Sequence, residues 1–103
     1  MLYRHGDVLV QSVSEQRVSD LPAAHPRPGV TLARGEVTGH SHRFRDVASV
    51  QLYTVGADTY AQVLAESAEL IHEEHATITL PRGLYKVWMQ REYSPEAIRR
   101  VLD

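Results

Sequence analysis

Ser49-Val50-Gln51-Leu52-Tyr53-Thr54-Val55-Gly56-Ala57-Asp58-Thr59-Tyr60-Ala61-Gln62-Val63-Leu64-Ala65 is the stretch whose reading decides the fold class. Ser49 to Val55 alternates, with Val50 and Leu52 facing one way and Gln51 and Tyr53 the other. That period of two belongs to a half-buried strand. Gly56 to Thr59 is a turn, and Tyr60 to Ala65 returns as the next strand.

The same pattern extends in both directions. Asp7 to Val13, rich in Val and Leu, reads as a first, well-buried strand. Ser14 to Gly29 contains Pro22, Pro26 and Pro28; proline fixes φ and lacks a backbone donor, so this segment is expected to be a connecting loop. Val30 to Phe44 is one bent strand or two, interrupted at Gly35 and Gly39. Downstream, Ala68 to His72 and Ala76 to Leu80 are strands, and Pro81-Arg82-Gly83 fits a type I turn. Leu84 to Tyr93 is a long strand with Tyr85, Val87 and Met89 opposite Lys86, Trp88 and Gln90. The period then changes: Ser94-Pro95-Glu96 is a helix start, and Ile98, Val101 and Leu102 make an apolar stripe. These elements predict a single all-β domain over 1–103, a small antiparallel β-sandwich or barrel. Residues 14–29 form its proline-containing loop and 94–103 a short C-terminal helix.

With 103 residues the chain has room for one core. The formal net charge of −2 gives no general attraction to nucleic acid or to an anionic membrane. Cysteine is absent, which excludes disulfides, a thiolate nucleophile and thiolate-bound zinc. Met1 to Asp7 lacks the apolar run of a signal peptide, and no stretch reaches membrane-spanning length, so a cytoplasmic protein is expected.

Four of the six histidines form two close pairs, Gly39-His40-Ser41-His42 and His72-Glu73-Glu74-His75. Neutral imidazole is the commonest side-chain ligand of transition metals. Residues two apart on a strand share a face, so His40 and His42 point the same way. The second pair is ambiguous. A two-residue loop at Glu73-Glu74 would set His72 and His75 opposite each other on one face, whereas a straight strand would pair His72 with Glu74. If the segments meet, His40, His42, His72 and His75 supply a site for a divalent transition metal: zinc, manganese, iron or nickel. His5 and His25 read as surface residues. Arg43 and Arg45 flank the first pair as the solvent face of an edge strand or as a hold for an anion. No nucleophile elbow and no phosphate-binding glycine loop is present.

Gly35-Glu36-Val37-Thr38-Gly39-His40-Ser41-His42, with Asp46 four residues on, is similar to the first motif of the cupin superfamily. That motif is a glycine, five residues, His-x-His, then an acid, normally Glu. Pro81-Arg82-Gly83 looks like the Pro-x-Gly of the second cupin motif, although Lys86 stands where that motif has histidine. The resemblance implies a cupin-like barrel with His40, His42 and Asp46 as ligands. Over a greater length, the chain resembles small uncharacterised bacterial and phage proteins carrying a Gly-Glu-Val-Thr-Gly-His segment and a Gln-Arg-Glu-Tyr-Ser-Pro tail, here Gln90 to Pro95. That likeness implies no activity.

Two functions fit the sequence. One is a small metal-binding β domain with the metal held by the histidine cluster. The other is a structural or protein-interaction module without metal or catalysis. It would be a homo-oligomer or a subunit of a larger assembly, joined through strand edges and the C-terminal helix. The sequence names neither a reaction nor a substrate.

Overall fold

The computed structural model describes residues 1–14, 21, 23–35 and 38–90. Among these, the strands are β1 (Leu2–His5), β2 (Val8–Ser12), β3 (Ala24–Arg27), β4 (Thr31–Arg34), β5 (Ser41–Phe44), β6 (Val50–Val55), β7 (Asp58–Ile71) and β8 (Ile78–Met89). All pair antiparallel in one sheet of order β1-β2-β8-β7-β5-β4, with β6 inserted between β7 and β3. The alternation at 50–53 is realised: Val50 and Leu52 are buried in β6, and Gln51 and Tyr53 are half-buried.

The expected sandwich or barrel, and the cupin-like barrel with it, is corrected to this single open sheet. β1 and β4 end the strand path, and no backbone ladder joins them among the described residues. The expected helix at 94–103 lies outside the described residues. Within them Val47–Ser49 is a 3-10 turn, and no helix is long and apolar enough to cross a membrane.

The correction comes from two strands that continue where turns were expected. Pro81-Arg82-Gly83 is not a turn but the middle of β8. Proline is tolerated there because β2 pairs only with Tyr85 to Met89, so that among the described residues one side of Pro81 has no neighbouring strand. Likewise the two expected strands at 60–65 and 68–72 are one, β7. The β7–β8 ladder shifts register between Val63↔Gly83 and Ser67↔Pro81, so Leu64, Ala65 and Glu66 face Arg82 alone. Such an irregularity bends and twists a strand pair. Two side chains hold the bend: the Tyr85 hydroxyl donates to the Pro81 carbonyl (2.6 Å), and Arg82 Nε donates to the Ala65 carbonyl (3.1 Å).

On either side of the bend β7 has a different neighbour, β6 at Asp58–Val63 and β5 at Leu70–Ile71. The inner faces of both halves share one core, which joins Val8, Val10, Leu52, Val63 and Val87 to Phe44, Leu70 and Leu80. Two further expectations change. The proline loop contains β3, which among the described residues pairs with β6 alone, so Pro26 stands on an edge strand, where proline is tolerated. The first strand expected at 7–13 is the second arm of a hairpin, because Leu2–His5 pairs with Val8–Gln11.

Replacing Tyr85 by Phe should cost about 1 kcal/mol, the worth of one hydrogen bond. For a domain of this size that lowers the melting temperature by roughly 4–8 °C, measurable by thermal circular dichroism. An unchanged melting temperature would show that the bend holds without this bond.

Candidate metal centre

The inner-face alternation of β5 and β7 continues past the apolar core into histidine. Phe44 pairs with Leu70 and Arg43 with Ile71. One further step along that register sets His42 opposite His72, and their ring centroids lie 4.3 Å apart. Two steps beyond, His40 meets Glu74, with Nδ1 3.3 Å from Oε1. The chain bends at Glu73–His75, and the His75 ring turns back to within 4.6 Å of His72 and 5.6 Å of His42. Thus both partners considered for His72 are nearby: His75 on the His42 side and Glu74 on the His40 side.

His42, His72 and His75 can each offer a ligand atom within 4.8 Å of the other two. In a tetrahedral zinc site two ligand nitrogens stand about 3.4 Å apart, so the rings need to draw together by up to roughly 1.4 Å to close the set. A cavity of about 160 Å³ opens beside them, lined by Asp7, His40, His42, His72, Glu74 and His75 among others.

His40, His72 and Glu73 form a second group, but its carboxylate is already engaged. Glu73 Oε1 accepts the Ser41 amide (3.0 Å) and Oε2 accepts Arg43 (2.9 Å), and Arg43 also donates to the Ser41 carbonyl. The Ser41 amide, Glu73's own backbone and Arg43 hold that carboxyl down at about 2. Glu73 therefore fastens the 72–75 bend to β5. Asp46, the acid of the cupin-like motif, caps the 3-10 turn by accepting the Ala48 amide (2.9 Å) and belongs to neither group.

His5 is the residue that sequence reasoning missed. Expected at the surface, it is 2% exposed and packs against His42, with Nδ1 2.9 Å from His42 Nδ1. The available signal was Gly6-Asp7, a two-residue hairpin turn between Tyr3/His5 and Val8/Val10. Gly6 has φ +61°, and an added Cβ would lie 2.6 Å from His75 Nε2 and 3.0 Å from His42 Cε1. The turn thus rests directly on two rings of the cluster. His25, on β3, is exposed.

Burial, helped by the neighbouring His72, His5 and His75, pushes the His42 imidazole down to about 4, with Asp7 opposing. Burial likewise lowers His5. The Ala76 backbone opposes that shift, yet no acceptor meets His5 Nε2 with hydrogen-bond geometry. Near neutral pH His42 is therefore uncharged, as a metal ligand must be.

A family model described as "Domain of unknown function (DUF8820)" matches residues 4–90, and the chain belongs to that family. His5, His40, His42, His72 and His75 all fall inside the matched span. No curated protein and no solved structure matches the chain.

The depressed histidines set an acid limit. The unfolded chain protonates His42 near pH 6.5 and the folded chain only near 4, so stability is full above that window and declines as pH falls through it. The loss for His42 is on the order of 3 kcal/mol. Urea melts of metal-free protein between pH 7.5 and 4 should show it, and His42→Leu should flatten the dependence. A wild-type profile that is flat over that range would contradict a buried neutral His42. Gly6→Ala should displace His75 and strain the turn, at a cost of about 1 kcal/mol or more in the same melts.

Proposed function

We propose that this protein binds one divalent transition metal through His42, His72 and His75. The observation carrying the proposal is the convergence of three imidazoles from three separate chain positions on one point beside a cavity. Nitrogen-only donors suit zinc, iron or nickel, whereas manganese prefers oxygen. Three protein ligands with an open side are the coordination of sites that leave a position for water or a small ligand. Bound there, the metal would supply Lewis acidity at that position.

The residues divide the work. His42 is rigid: it sits on a paired strand, is 8% exposed and is kept neutral by burial. His72 has its Nδ1 lone pair occupied by the Glu74 amide (3.0 Å), which places the proton of the neutral ring on Nε2. Metal at either nitrogen therefore releases that amide. His75 is exposed, with its Nε2 beside the Gly6 turn. Glu73 and Arg43 hold the segment from which His72 and His75 project.

Protein purified without a histidine tag should bind zinc at 1:1 in isothermal titration. His42→Gln and His75→Gln should each weaken binding more than roughly 100-fold, since loss of an outer partner of a ligand alone costs 10–100-fold. His40→Gln should leave the affinity within about threefold, because His40 contributes to the other group. Zinc should also shift the Glu74 amide resonance and be released as pH falls through the range where His42 takes up its proton. Failure of wild-type protein to bind zinc, cobalt or nickel would leave the cluster as polar packing and favour the interaction-module reading.

A further inference from the structure

We infer, resting on the metal-binding reading above, that His5 is the positioning residue of this centre, holding the His42 ring and its proton so that His42 Nε2 faces the metal. His5 stands on β1 and His42 on β5, near opposite ends of the strand path, and the two rings meet edge to face at 76° with Nδ1 to Nδ1 at 2.9 Å. At that distance one nitrogen donates and the other accepts. A neutral imidazole has a single proton, so the two arrangements have opposite consequences. If His42 donates from Nδ1, its Nε2 keeps a free lone pair. If His5 donates instead, the His42 proton moves to Nε2 and both of its nitrogens are taken.

Only the first arrangement serves a metal. A ligating histidine almost always donates its other ring N–H to a fixed acceptor, which sets the tautomer and aims the ring. Among the described residues, His5 Nδ1 is the partner at His42 Nδ1. The remaining nitrogen of His5 points to the same role. Nε2 is buried and meets no acceptor with full hydrogen-bond geometry among the described residues, although the Ala76 backbone acts on the ring; a leucine at this inner-face position would avoid that burden. Packing alone does not call for histidine there. An acceptor aimed at His42 does.

The test uses full-length ¹⁵N-labelled protein and the variants His5→Leu and His5→Asn. Long-range ¹H–¹⁵N correlation on metal-free wild type reads the tautomers without any metal: His42 should carry its proton on Nδ1 and His5 on Nε2. In titrations, His5→Leu should bind zinc 10–100-fold more weakly while remaining as thermally stable as wild type or more so. His5→Asn places Oδ1 where Nδ1 was and should restore most of the affinity. A proton on His42 Nε2 in metal-free wild type would overturn the inference even if zinc binds. So would wild-type affinity in His5→Leu. Equal losses in His5→Leu and His5→Asn would also overturn it, making His5 a direct ligand or a packing residue. Absence of zinc binding by wild type would overturn the metal-binding reading itself and the positioning role with it.

Discussion

The bend in the β7–β8 ladder is the constraint on which the rest of the structure depends. Three residues of one strand face one of the other, an irregularity that bends a strand pair, and the residues on both sides of it share one core. The Tyr85 hydroxyl and the Arg82 guanidinium donate to the Pro81 and Ala65 carbonyls on the two strands of this irregular stretch. The bend turns the inner faces of both halves toward one another, so a single sheet encloses its own core. It also brings the β1–β2 hairpin against the start of β5 and the 72–75 segment, where the histidines meet.

That meeting place is electrostatically demanding. His5 and His42 are almost wholly inside, and each ring disfavours charge on the others. Desolvation of an imidazolium is costly, so the buried rings stay neutral. Neutrality makes them available as nitrogen donors and also makes the cluster sensitive to acid. Glu73 has the opposite situation at the rim, where a backbone amide and Arg43 stabilise its charge. One side of the 72–75 bend is thus fixed by a carboxylate latch, and the other carries the exposed His75 ring.

Some of this was legible in the sequence because it is local. Alternation at 50–53 set β6 and its buried face, and the two-residue spacing of His40 and His42 set a shared face. Other features depend on who the neighbours are. Pro81 and Gly83 spell a turn, yet a strand passes through them because β2 stops short of that point. The partner of His72 turned on a bend at 73–75, stabilised by a carboxylate contact to Ser41 more than thirty residues away. His5 looked like a terminal surface residue because its burial comes from β5 and the 72–75 segment, not from its own strand. The cupin-like spacing matched a string of residues but not the environment of Asp46, which serves its own 3-10 turn.

The His5–His42 contact joins residues 37 apart in sequence, from strands that lie near opposite ends of the sheet path and share no ladder. Closing the chain over that span costs loop entropy that the contact itself must repay. The ladders tie each strand to its sheet neighbours, whereas the histidine contact ties β1 to β5 directly. The cluster therefore works as a clasp between two strands that backbone pairing leaves apart.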